Sequence, residues 1–166
     1  LSKEMFADLR KENMAAEAEL FPYLKYKILT LGKVGIEKIY DVSEGLENRI
    51  YEASLKVENY SDLVNLIATK RYSNKKIQRA LLHILTNTTK EDYKKYFSTN
   101  NFRVLAVKKN KAATIREINR EGKIILHPLL NSKNSMNFEQ DIKVARIYEL
   151  LFNNKDIFRE NIQIID

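Results

Sequence analysis

The sequence predicts a mainly helical protein: a bundle of about four helices followed by a small β-α-β-α subdomain. Three observations carry that expectation. Only 4 glycines and 2 prolines punctuate 166 residues, too few for long irregular stretches. From Ala15 to about Lys90, apolar residues recur at three- and four-residue spacing, the period of a helix with one buried face. Beyond Lys90, two short apolar runs bracket a polar helical stretch, and a further helix follows. That order suits parallel strands joined by a right-handed crossover. The expected boundaries are 1–90 for the bundle and 101–166 for the α/β subdomain.

Leu20, Tyr23, Leu24, Lys27, Ile28 and Leu31 predict an amphipathic helix over 16–30, with Pro22 marking a kink or a first turn. Gly32 and Gly35 break the pattern, and residues 36–40 read as a short helix or turn. Asp41 and Glu44 have capping-box spacing ahead of a helix bearing Leu46, Ile50, Ala53, Leu55 and Val57. Ser61 reads as the N-cap of the next helix, with Leu63, Leu66 and Ile67 facing inward. A basic turn at 70–73 leads to the clearest helix, whose stripe is Ile77, Ala80, Leu81, Ile84 and Leu85. In the second half, FRVLAV (102–107) and KIILH (123–127) read as strands, the latter stopped by Pro128. Between them, 111–120 reads as a helix with Gly122 as its C-cap. A polar loop over 131–137, a helix over 138–152 and an optional third strand over 162–165 complete the expectation.

No run of about 18 apolar residues is present, so no membrane span is expected. The first eleven residues are polar and mixed in charge, unlike a secretion signal. The absence of cysteine excludes disulfides and thiolate metal sites, and a cytoplasmic location is the natural expectation. Leu1 stands where an initiator Met would, so the chain is expected to be a piece of a longer protein.

The net charge of +7 points to a polyanionic partner because it is clustered. The segment from Lys70 to Arg79 holds Lys70, Arg71, Lys75, Lys76 and Arg79 and no acid. With Ser73 as N-cap, Lys75 and Lys76 fall in the first helical turn, where cations oppose the helix dipole at roughly 0.3–1 kcal/mol each. Selection for stability alone favours Asp or Glu there. Unpaired N–H groups, a capping hydroxyl and cations together suit a phosphate. Tyr72 adds a ring for stacking on an unpaired base; the competing reading packs it in the core and leaves a solvated basic face. A secondary basic stretch, Lys108, Lys109 and Lys111, lies where a strand should end, and solubilising surface lysines explain it equally well. His83 reads as a packed histidine and His127 as an unsupported one. No catalytic constellation and no metal-ligand spacing is present.

The run TKRYSNKKIQRALLHILTN (69–87), preceded by YDVSEGLENRIYEA (40–53) and LFPYLKYKIL (20–29), resembles in order and spacing the bacterial tRNA(Met) cytidine acetate ligase family. FRVLAV and DIKVARIYELL are similar, more loosely, to a strand and a closing helix of that family. The intervening KKNKAATIREINREG is lysine-rich and lacks the glycine often found there. The resemblance implies a full-length enzyme whose nucleotidyltransferase-like N-terminal half binds ATP through a His-x-Gly-His motif. Such an enzyme activates acetate as acetyl-adenylate and acetylates N4 of the wobble cytidine of elongator tRNA(Met). That motif is absent here, so the resemblance implies ATP with Mg and acetate for the full-length enzyme and no cofactor in this fragment. It implies an RNA-facing C-terminal part, inactive alone, with the catalytic domain in cis and tRNA as partners, and a homodimer as a further option. Lys70, Arg71, Tyr72, Ile77, Gln78 and Arg79 match the family's basic block, whereas Lys75 and Lys76 stand where members vary. Two other readings stay open: a helix-turn-helix DNA-binding module formed around the basic turn, and a structural or dimerisation domain of the same enzyme.

Overall fold

The computed structural model describes residues 17–104, 106–111, 113–127, 135–152 and 163–165. The polar N-terminal eleven residues, Pro128, the loop at 131–134 and Ile162 lie outside them. The chain is mainly helical and divides into two compact units, Leu1–Lys94 and Lys95–Asp166.

In the first unit, helix α1 spans Glu17–Glu37 and is broken at Gly32 (φ 61°, ψ 178°), a conformation that only glycine reaches without strain. Gly35 does not break the chain: it lies in the resumed helix beneath the Leu31 side chain. Pro22 sits inside α1, so the helix does not start at it. Helix α2, Leu46–Ser54, begins after Gly45 with no side-chain cap. The expected Asp41–Glu44 capping box is therefore not formed, and Asp41 is engaged elsewhere. Leu46, Ile50 and Ala53 are buried along α2, but Leu55 lies just past its end, half exposed.

Helix α3, Tyr60–Ile67, is capped by Asn59 and not by Ser61: Asn59 Oδ1 accepts the Asp62 N–H at 2.8 Å. Asn59→Ala should lower the unfolding free energy by about 1 kcal/mol. Ser61→Ala should leave it within about 0.5 kcal/mol, a contrast that urea titration resolves. Leu63, Val64 and Ile67 face inward, whereas Leu66 is exposed. Helix α4, Asn74–Leu85, buries Ile77, Ala80, Leu81 and Ile84 on one stripe. Helix α5, Lys90–Phe97, is not visible in the apolar spacing. It opens with a reciprocal cap in which Thr89 N–H and Oγ1 donate to Asp92 Oδ2 and Asp92 N–H donates to Thr89 Oγ1.

One core joins α1 to α4 through Leu24, Ile28, Ile36, Leu46, Ile50, Leu63, Ile67, Ile77, Leu81 and Ile84. Each such side chain contributes roughly 1.5–3 kcal/mol on burial. Cations tie off helix ends around it: Arg49 donates to the Leu66 and Ile67 carbonyls, and Lys90 Nζ to the Glu37 carbonyl.

In the second unit, the expected single strand FRVLAV is two strands, β1 (Asn101–Arg103) and β2 (Ala106–Lys108). β1 pairs in parallel with β3 (Ile125–His127) and β2 in parallel with β4 (Gln163–Ile165). A single-turn 3-10 helix, Lys109–Lys111, precedes α6, Thr114–Glu121, which Gly122 ends in the left-handed conformation. Asn119 secures β3: its Oδ1 accepts the Leu126 N–H and its Nδ2 donates to the Leu126 carbonyl. Ser135–Phe138 forms a second 3-10 turn leading into α7, Glu139–Phe152. No helix among the described residues is long and apolar enough to cross a membrane.

Candidate nucleic-acid interface

The basic segment is a shaped turn between α3 and α4. Thr69 and Tyr72 exchange backbone hydrogen bonds at 3.1 Å each, and Thr69 Oγ1 also accepts the Tyr72 N–H. This holds Lys70 and Arg71 at the tip, both exposed. Ser73 caps α4 as expected, its hydroxyl accepting the Lys76 N–H at 3.4 Å, and no acid occupies the first turn. Lys75 is exposed and Lys76 half-buried. Among the described residues, Lys70, Arg71, Lys75 and Lys76 form no ion pair.

Tyr72 does not present its ring for base stacking. It is only 5% exposed, and its hydroxyl donates to the Glu44 carbonyl at 3.1 Å. Its place among cations in the sequence suggests the surface; the ring is inside as part of the core cluster with Ile77 and Leu81, and its hydroxyl reaches the loop ahead of α2. It serves the cations instead, with Arg71 Cζ and Lys76 Nζ over it at 5.4 and 5.2 Å from its centroid, within cation–π range.

The loop ahead of α2 runs beside α4 and meets it with polar groups. Lys76 Nζ donates to Ser43 Oγ at 3.4 Å. Arg79 Nε donates to Asp41 Oδ2 at 3.1 Å, and His83 Nε2 lies 3.7 Å from the same oxygen. Asp41 itself has φ 66°. Tyr40 packs edge-on against His83 and stacks on Tyr93; its hydroxyl, hydrogen-bonded to Tyr93, is pushed up to about 12. Asp41 and His83 thus belong to the site although sequence spacing marks one as a cap acid and the other as core.

Burial holds His83 below the ordinary histidine value of 6.5, with Arg79 adding to the shift and Asp41 opposing it. The folded state therefore favours the neutral ring, and the unfolded chain binds more protons just below pH 6.5. Stability is full above that value and falls on acidification through the folded pKa. The melting temperature should drop between pH 7 and pH 5, and the drop should be shallower in His83→Gln; identical profiles would rule the assignment out.

In the second unit, Lys108, Lys109 and Lys111 are all exposed, at the end of β2 and on the following 3-10 turn. A separate cleft of about 390 Å³ is lined by Tyr96, Asn101, Phe102, Arg103, Phe138 and Asp141, among others. His127 is not unsupported: its Nε2 lies 2.7 Å from Asn101 Oδ1, and its ring packs edge-on against Phe138. Among the described residues, no group of three or more His, Asp or Glu could hold a metal ion.

The chain belongs to the HIGH nucleotidyl transferase family, whose model matches residues 1–162. It is similar to the tRNA(Met) cytidine acetate ligases of Thermoanaerobacter sp. (strain X514), 33% identical over 129 residues, and of Bacillus subtilis (strain 168), 34% identical over 133. These alignments cover 75% and 78% of this chain and 32% of each relative, so the chain spans about a third of the length of the curated relatives it matches. Among solved structures, apo Thermotoga maritima TmcAL (form I) superposes with a TM-score of 0.78 at 16% identity, covering 96% of this chain and 44% of that one. The same protein bound with alpha-thio ATP (form II) superposes with a TM-score of 0.70 at 18% identity, covering 81% and 36%. At that identity the structures speak to the fold alone.

Proposed function

We propose that this chain is the tRNA-holding, C-terminal part of an ATP-dependent ligase that acetylates N4 of the wobble cytidine of elongator tRNA(Met). On this reading the first unit is a helical bundle, the second a β-α-β-α subdomain, and a catalytic nucleotide-binding domain precedes both in cis. The observation that carries the proposal is the start of α4. Lys70, Arg71 and Lys75 are exposed and free of acidic partners among the described residues, in a first turn without Asp or Glu. Such a surface trades helix stability for anion affinity, and the polyanion that chains of this similarity act on is tRNA(Met).

On this reading ATP is held by the domain that precedes this chain. The chain's two histidines, His83 and His127, stand in different units with no His-x-Gly-His between them, so no chemical step is assigned to this chain. ATP with Mg and acetate belong to the full-length enzyme, which is assigned to the cytoplasm. Lys108, Lys109 and Lys111 form a secondary RNA contact.

The test is binding of the chain to elongator tRNA(Met) across a salt series, with initiator tRNA and duplex DNA as comparators. Tight binding to elongator tRNA with a steep salt slope is expected. Equal affinity for duplex DNA would favour a helix-turn-helix role. No binding to any of them would leave the chain a structural or dimerisation part of the enzyme.

A further inference from the structure

We infer that Asp41 is a positioning residue that aims Arg79 at an RNA phosphate. This rests on the tRNA-holding reading of α4 and adds a residue whose charge has the wrong sign for that role. A carboxylate beside a polyanion site repels the ligand, so its presence calls for a compensating function.

Geometry supplies one. Asp41 adopts φ 66°, a left-handed conformation rare outside glycine and tolerated best by Asp and Asn. Strain of this kind persists where the surrounding structure makes use of it. The Asp41 side chain is 17% exposed and accepts Arg79 Nε at 3.1 Å, while the Arg79 side chain remains 62% exposed. A guanidinium carries five N–H donors in a fixed plane. Fixing Nε orients that plane, and no described residue accepts from Nη1 or Nη2. Those two nitrogens are the edge that takes a phosphate in bidentate fashion. Arg79 lies one turn beyond Lys75 and Lys76 on α4, in line with the other cations. His83, one turn beyond Arg79 on α4, lies 3.7 Å from the same carboxylate oxygen.

Two opposite results separate this role from simple electrostatics. Removing the Asp41 charge should tighten tRNA binding if only net charge matters. If Asp41 aims Arg79, Asp41→Gly, which removes the acceptor and is at ease with that φ, should weaken binding up to about tenfold at 0.1 M salt, the scale of one lost phosphate contact. Asp41→Asn is the control: it is isosteric, accepts the left-handed backbone and keeps an amide oxygen that can accept Nε–H, so it should lose less affinity than Asp41→Gly. Affinity of the chain for elongator tRNA(Met) would be measured for Asp41→Gly, Asp41→Asn, Arg79→Ala and the Asp41→Gly, Arg79→Ala double variant, with melting temperatures alongside. The inference predicts weakening by Asp41→Gly and by Arg79→Ala, and no further loss when Asp41→Gly is added to Arg79→Ala. It is overturned by tighter or unchanged binding in Asp41→Gly, by an equal loss in the Arg79→Ala background, or by an inert Arg79→Ala. In those three cases a wild-type chain that still binds tRNA leaves the tRNA-holding reading standing. A wild-type chain that binds no tRNA removes that reading and this inference together.

Discussion

Replacing Tyr72 with alanine is expected to lower the unfolding free energy by about 3–5 kcal/mol, the range for emptying a large aromatic side chain from a core. The ring is 5% exposed, within the cluster that also holds Ile77 and Leu81. Its loss also frees the Glu44 carbonyl of its 3.1 Å hydrogen bond and removes the platform under Arg71 and Lys76. Tyr72→Phe keeps the ring and forfeits one hydrogen bond, which should cost about 0.5–1.5 kcal/mol. Urea unfolding followed by far-UV circular dichroism measures both. The pair of variants also separates two roles for the residue. A core tyrosine gives a destabilised Ala variant and a Phe variant with unchanged tRNA affinity. A stacking tyrosine gives an Ala variant of near wild-type stability that has lost affinity, and that result would remove Tyr72 from the core assignment.

Much of this fold is written in local spacing, and what spacing misses depends on distant partners. Ile77, Ala80, Leu81 and Ile84 mark α4 because one helix face repeats within the segment itself. Asn59 and Ser61 are both good cap residues two positions apart, so only the observed bond from the Asp62 N–H to Asn59 selects between them. Helix α5 has little apolar patterning, yet Thr89 and Asp92 carry a capping signal three residues apart. FRVLAV reads as one strand because its apolar run is nearly continuous, whereas its division follows from separate pairings to residues 125–127 and 163–165. Spacing matches Asp41 to Glu44, while its actual partner, Arg79, is 38 positions away. The cations of the candidate site are legible because charge needs no partner to be seen. The groups that orient them are not.

The loop and the basic helix therefore form one unit of organisation in which an acid and a hydroxyl direct cations and a carbonyl holds the ring beneath them. Glu44 holds Tyr72 through its carbonyl, Ser43 meets Lys76, and Asp41 meets Arg79. Lys76 and Arg79 are tethered, whereas Lys70 and Lys75 are not. Tethered cations give a fixed geometry; untethered ones give charge that reaches for a backbone phosphate. The first group is expected to set the register of the backbone on this surface, and salt sensitivity to follow the second.

Changing Lys70, Arg71 and Lys75 together to alanine should produce the largest loss of tRNA binding available on this surface. All three are exposed and unpaired by acids among the described residues. If each meets one phosphate, the slope of log affinity against log salt should become shallower by roughly 2–3. Affinity at 0.1 M salt should then fall on the order of a few hundred-fold, with the wild type and variant converging near 1 M. For Lys75→Ala alone, stability should move the other way: removing this cation from the first turn of α4 relieves an unfavourable dipole contact of about 0.3–1 kcal/mol, whereas the triple variant also gives up the Arg71 contact with the Tyr72 ring. A parallel variant of Lys108, Lys109 and Lys111 should cost less affinity if that stretch is secondary. Filter binding to elongator tRNA(Met) over a salt series, with thermal melts of each variant, reads both quantities. Weakened binding with an unchanged salt slope would mean that these side chains do not meet phosphates, and unchanged binding would move the RNA contact away from α4. A Lys75→Ala chain that is more stable yet has lost salt-dependent affinity is the signature of a helix start kept cationic for its ligand.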